Sequence, residues 1–188
     1  MSVTPWPDHL LTLDEWDRLP EDNSRRYELV EGVLIVAPRP AYRHQRAVWR
    51  LAAQLEPQLP ARWGVLADAE IAIDAGSPPT VRVPDVLVVP EAAIGANWPR
   101  CTPEDAVLVV EIVSPGSERT DRTTKFAENA EVGIEHYWIV DLDGPPTLAA
   151  YRLIDGEYEQ MAGGSGGVEL ASPVPITVNL DALVSERG

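Results

Sequence analysis

The apolar positions of this chain change period several times, and each change marks an element. The densest run, residues 106–113, is β-branched and nearly continuous, as a central strand covered on both faces requires. A second apolar run, 136–140, ends at Asp141. Between them Ser114-Pro115-Gly116-Ser117 reads as a turn, and a helical pattern then opens near Thr120 or Asp121. Gly133 followed by Ile134 closes that helix in the manner of a left-handed C-terminal cap. The stretch predicts strand, helix, strand, joined as a right-handed parallel crossover.

Upstream, Thr12 with Glu15 three residues later predicts a capped helix up to about Leu19, and a turn follows at 20–24. Residues 26–30 and 33–36 flank Glu31-Gly32, the spacing of a two-residue hairpin with glycine at positive φ. Ala47, Val48, Leu51, Ala52 and Leu55 keep helical spacing, so 41–55 reads as an amphipathic helix able to lie on a sheet. Strands are expected over 65–73 and 81–89, with 90–103 irregular between them and the run at 106. The second strand contains Pro84-Asp85, both poor strand formers, and such violations concentrate at functional sites. Downstream, 148–153 and 157–161 predict a hairpin, 163–167 a glycine-rich loop, and a last strand leads to a short helix at 180–184. The pattern is α/β, a mixed sheet with helices and an extra hairpin, in one domain: an N-terminal extension at 1–24, a core at 25–141 and a C-terminal hairpin and tail at 142–188.

Composition narrows the function. A net charge of −15 excludes bulk electrostatic coating of nucleic acid, so any such contact must be local. The candidate locality is the 41–55 helix, where Arg43, Arg46 and Arg50 share a face; a solvated helix surface is the alternative. One cysteine, Cys101, rules out an intrachain disulfide or a thiolate metal cluster. With no membrane-length apolar run and no basic-then-apolar start, a cytoplasmic protein is expected.

The chemistry concentrates in three residues. Glu111 stands inside the most apolar strand, where an unpaired carboxylate costs several kcal/mol, roughly, and Asp85 interrupts the strand before it. Two carboxylates on neighbouring strands repel, so either one is protonated or a hard divalent cation, Mg2+ or Mn2+, lies between them. Lys125 is the only lysine beside fourteen arginines. It marks either a place where a compact ammonium is needed or an ordinary helix ion pair with Asp121. A metal with an adjacent ammonium suits hydrolysis of a phosphodiester. His44, near the start of its helix, reads first as a capping or packing residue and second as a ligand.

Pro84-Asp85, Val110-Glu111-Ile112-Val113-Ser114-Pro115, Asp121 with Lys125, Gly133-Ile134 and Tyr137-Trp138-Ile139-Val140-Asp141 resemble the Uma-two family of the restriction-endonuclease-like superfamily, named for its PD-(D/E)XK motif. Tyr27-Glu28-Leu29-Val30-Glu31-Gly32 and His44 match the N-terminal pattern of that family. The resemblance implies a mixed sheet flanked by helices and a metal-dependent endonuclease acting on DNA. It implies Asp85 and Glu111 as metal ligands, the Ile112 carbonyl as a third, Lys125 as the catalytic lysine, and Glu28, His44 and Asp121 as supporting residues. Two departures stand out: the superfamily's usual lysine position is Val113 here, and Asn129 stands where the family has tyrosine. The competing reading is a non-catalytic binding or regulatory module on the same fold; a glycosidase carboxylate pair leaves the lysine without a role. Symmetric duplex DNA makes a homodimer the expected assembly.

Overall fold

The computed structural model describes residues 7–20, 24–113 and 120–186. Helix α1 (Leu13–Trp16) opens with the expected capping box between Thr12 and Glu15. It ends after four residues, because the N–H groups of Arg18 and Leu19 already bond three residues back, tightening the chain before Pro20. Strands β1 (Arg25–Val30) and β2 (Val33–Pro38) pair antiparallel with Val30 opposite Val33. Both turn residues take positive φ, 48° at Glu31 and 77° at Gly32, where only the glycine was expected to.

A Cβ on Gly32 would come within 2.9 Å of the Leu10 Cβ. Gly32→Ala is therefore expected to cost about 1–2 kcal/mol from backbone strain alone, read as the midpoint of urea unfolding. An unchanged midpoint would mean that the turn relaxes without cost.

Helix α2 (Tyr42–Leu55) follows the predicted periodicity and buries His44, Ala47, Val48, Leu51 and Leu55. The single strand expected over 65–73 is two, β3 (Trp63–Ala67) and β4 (Ile71–Asp74), because the chain turns at Asp68, φ 52°, and passes from one sheet to another. The strand expected over 81–89 is likewise split into β5 (Thr80–Arg82) and β6 (Val86–Pro90). Val83-Pro84-Asp85 is the joint between them, so the proline sits outside the sheet ladders. Helix α3 (Glu91–Gly95) occupies part of the region read as irregular.

Strand β7 (Leu108–Val113) precedes the expected turn at 114–117, which lies outside the described residues, as do positions 21–23 of the turn expected at 20–24. A turn of π-helix, Thr120–Thr124, runs into α4 (Lys125–Glu131), and β8 (His136–Asp141) follows. Gly133, φ 84°, ends α4 as predicted: its N–H donates to the Ala130 carbonyl and that of Ile134 to the Asn129 carbonyl. Strands β9 (Thr147–Ile154) and β10 (Glu157–Ser165) form the hairpin, longer than expected. The glycines at 163–167 are not a loop: they finish β10 and begin β11 (Gly167–Leu170). A Cβ on Gly163 would lie 2.7 Å from the Leu148 carbonyl, so glycine there serves close approach of two strands. Strand β12 (Ile176–Asn179) and α5 (Asp181–Val184) complete the chain.

The central sheet is mixed, in the order β10-β9-β8-β7-β6-β3, with β7 and β8 parallel and its other pairs antiparallel. A four-stranded antiparallel sheet has the order β2-β1-β5-β4, and β11 pairs with β12. Alternate residues of the central strands feed two apolar layers. One joins Leu108, Val110, Ile112, Trp138 and Val140 to α2 and to Val168, Leu170, Val178 and Leu183, so the C-terminal segment is core as well as hairpin. The other gathers Leu87, Val109, Val113, Tyr137 and Ile139 beneath α4, whose Phe126 packs on it. Each fully buried aliphatic side chain contributes about 1.5–3 kcal/mol. Among the described residues no helix is long and apolar enough to cross a membrane.

Candidate active site

Strand pairing brings the two acids together. Val86 lies opposite Val110 across β6 and β7, so Asp85 and Glu111, the next residues outward on each strand, become neighbours. Asp85 Oδ2 accepts the Ile112 N–H at 2.7 Å. Residues 109, 111 and 113 share the face of β7 that α4 covers, and Val113 is spent there on the apolar layer. The ammonium comes instead from the helix above: Lys125 Nζ lies 2.9 Å from Glu111 Oε1, 3.1 Å from Glu28 Oε1 and 3.5 Å from Asp121 Oδ1. The ion pair with Asp121 exists, but both partners are buried, so it is no helix-surface pair.

Helix α4 is fixed at several points. Phe126 meets Tyr137 and Tyr151 edge-on, with ring centroids 5.7 and 4.9 Å apart. The Tyr137 hydroxyl donates to the Asp121 carbonyl and that of Tyr158 to the Ile134 carbonyl. Asn129, the departure from the family pattern, is buried and donates to the Lys125 carbonyl at 2.6 Å.

Three residues without a place in the sequence reading complete the cluster. Arg82 spreads its guanidinium between Glu128, bonded through Nε at 2.9 Å and Nη2 at 2.6 Å, and Glu28, bonded through Nη1 at 2.9 Å. Glu28 thus links Arg82 to Lys125, and Glu128 ties the same arginine to the helix that bears the lysine. Arg26 donates to Asp85 Oδ1 at 2.7 Å and to the Val83 carbonyl. An arginine between Val81 and Val83 was as visible an anomaly as Glu111, but its partners were not, since they come from β1 and α4.

His44 reaches the site from the opposite layer. Its Nε2 lies 2.7 Å from the Ile112 carbonyl and 3.2 Å from Asp85 Oδ2. Burial works to lower the His44 pKa, but Asp85 and the Ile112 carbonyl outweigh it and the net shift is upward. Burial would raise Asp85, yet His44, Arg26 and the Ile112 N–H together bring it down to about 2. Glu111 goes the other way. Burial pushes it well above the usual carboxylate range, against the pull of Lys125 and aided by the charges of Asp85 and Asp121. Lys125 is raised: the charges of Glu111, Glu28 and Asp121 overcome its own burial, so it is held as an ammonium.

Arg26, Glu28, His44, Asp85, Glu111 and Lys125 all line one cleft of about 470 Å³, with Asp121 beside them and residues 37–41 as a wall. Of the arginines expected to meet DNA, Arg43 and Arg46 are exposed on α2. Arg50 is turned elsewhere: its Nη1 donates to the carbonyls of Ala182, Leu183 and Ser185 at the end of α5.

The donor set suits a hard divalent cation. Among the described residues, the carboxyl groups of Glu28, Asp85, Glu111, Asp121 and Glu128 outnumber the cations Arg26, Arg82 and Lys125 that they face. No group of three or more His, Cys, Asp or Glu side chains is arranged as a metal centre among those residues. A small hard cation needs only one or two protein carboxylates and fills the rest of its shell with water and substrate oxygens. The Ile112 carbonyl keeps a second lone pair beside the one that His44 engages.

No curated protein matches the chain. Among solved structures, the crystal structure of "a putative nuclease belonging to DUF820" from Anabaena variabilis ATCC 29413 superposes with a TM-score of 0.65 at 21% identity, covering 93% of this chain and 97% of that one, so the two share a fold. The Uma2 family model, described as "Putative restriction endonuclease", matches residues 13–183. With that match running from α1 to α5 and through every residue of the cleft, the chain belongs to the Uma2 family.

Proposed function

We propose that this chain is a divalent-metal-dependent endonuclease that hydrolyses DNA phosphodiester bonds. The observation that carries the reading is the meeting of Asp85, Glu111 and Lys125 in one cleft, with Nζ 2.9 Å from the Glu111 carboxylate. Asp85 and Glu111 would hold Mg2+ or Mn2+ with the Ile112 carbonyl. Bound there, such an ion supplies Lewis-acid polarisation of a phosphoryl oxygen and a more acidic water.

The chain's own groups divide the remaining work. Lys125, held as an ammonium, stabilises the charge that develops on the phosphoryl oxygens and orients the attacking water, and it does not serve as the base. Glu28 and Asp121 keep the ammonium charged and aimed. Arg26 and His44 fix both oxygens of Asp85, so the carboxylate meets the substrate in one orientation.

The test is incubation of supercoiled and single-stranded DNA with the purified chain and Mg2+ or Mn2+. Expected are cleavage with either metal, none in chelator, and none by Asp85→Asn. The same Mg2+ should raise the Tm of the parent and leave that of Asp85→Asn unmoved, as binding to the native state requires. A chain whose Tm rises with Mg2+ but which cuts neither substrate would favour the binding or regulatory module instead.

A further inference from the structure

Helix α2 has a second face, turned away from the core. On it Tyr42 is 90% and Trp49 64% exposed, seven residues and so about 10 Å apart along the axis. Arg46 stands between them and Arg43 beside Tyr42, both exposed. Residues 32–55 contain no Asp or Glu and four arginines, in a chain with thirty acidic residues and a net charge of −15. No other acid-free stretch of the sequence is more than half as long. The helix begins at the cleft, whose lining includes Arg39, Ala41 and His44.

We propose that this face is a stacking track for single-stranded DNA, an inference that rests on the nuclease reading. Unpaired bases lie on the rings of Tyr42 and Trp49, Arg43 and Arg46 take the intervening phosphates, and the strand enters the cleft at the N-terminal end of α2. Charge complementarity selects a polyanion, since this is the acid-free part of an acidic protein. The rings select unpaired bases, because a duplex keeps its base faces stacked inside and meets a protein rim through phosphates and groove edges. The 10 Å spacing with arginine between the rings is the alternation of π-face and cation that such tracks use.

The experiment is fluorescence anisotropy of the full chain in chelator with labelled dT20 and with a matching dA20·dT20 duplex at low salt. Expected is tighter binding of dT20, weakened about tenfold by Tyr42→Ala and by Trp49→Ala, with duplex affinity and Tm unchanged. Unchanged dT20 affinity in both variants overturns the track, as does a parent that binds neither probe. Preferential duplex binding that falls in Arg43→Ser and Arg46→Ser, but in neither aromatic variant, overturns it in favour of a duplex contact. Self-association of the parent that Trp49→Ala abolishes overturns it in favour of a second copy of the chain. The two readings fail separately: a parent that shows the dT20 pattern but cuts nothing with Mg2+ keeps the track and removes the nuclease. A parent that cuts single-stranded DNA as fast as Tyr42→Ala and Trp49→Ala do removes the track alone.

Discussion

Lys125→Met is expected to abolish metal-dependent DNA cleavage and to destabilise the fold at the same time. The ammonium lies within 3.5 Å of Glu28, Glu111 and Asp121, all buried, so its loss takes from three carboxyl groups the cation they share. Stranding buried charge in this way costs about 3–5 kcal/mol, and loss of a preorganised transition-state partner costs about 10²–10³ in kcat. From sequence alone, alanine at 111 or 125 is expected to abolish cleavage and leave the fold intact, on the ground that a buried charge adds little net stability; three buried carboxyl groups around one ammonium favour the opposite outcome for the fold. Two controls separate the roles. Lys125→Met with Glu111→Gln removes one of the stranded charges and should recover part of the urea midpoint but no cleavage. Lys125→Arg keeps the charge and most of the stability but places a fork where a point charge fits. Cleavage by Lys125→Met at the parental rate would remove the lysine from the chemistry.

The second large effect belongs to Arg82, which is 5% exposed and does not line the cleft. Arg82→Leu should cost about 3–5 kcal/mol, because Glu28 and Glu128 lose their shared guanidinium. It should also lower kcat about tenfold or more with KM nearly constant, since Glu28 no longer holds Lys125 in place and the substrate surface is untouched. Arg82 is thus a positioning residue. Adding Glu128→Leu removes the second stranded carboxylate and should restore much of the stability, leaving kcat depressed. Recovery of kcat together with stability would mean that Arg82 acts on folding alone.

How much of this could be read beforehand follows physical lines. Periodicity located α2, the hairpin of β1 and β2, the unit of β7, α4 and β8, and the glycine cap at 133, because each is decided by residues close in sequence. It missed the breaks at 68–70 and 83–85, where the apolar residues on either side of a short polar or proline-bearing joint read as one strand although the backbone changes sheet between them. Pro84-Asp85 was legible as an anomaly and not as a corner, since low strand propensity says that something interrupts the ladder, not what replaces it. Asp85, Glu111 and Lys125 were legible for a related reason: each is the wrong residue for its local surroundings. Arg26 and Glu128 are ordinary in theirs. Their importance comes from partners 59 and 46 residues away, which local pattern cannot supply.

Those separations bear on how the molecule assembles. Lys125 finds Glu111 only 14 residues away, but Arg82 must meet Glu28 across 54 residues, when β1 and β5 pair, and Glu128 across 46, when α4 comes against that sheet. Each of these side chains keeps its water until the partners arrive, since a half-formed ionic cluster bears the desolvation penalty without the attraction that offsets it. Loop closure over such distances is an entropic cost met before any reward, which makes the cluster a late event on the folding route. A nascent chain that has built β7, α4 and β8 therefore holds two of the three central residues with no aligned centre. On the nuclease function proposed above, the polypeptide becomes competent to cut the genome that encodes it only when folding is finished.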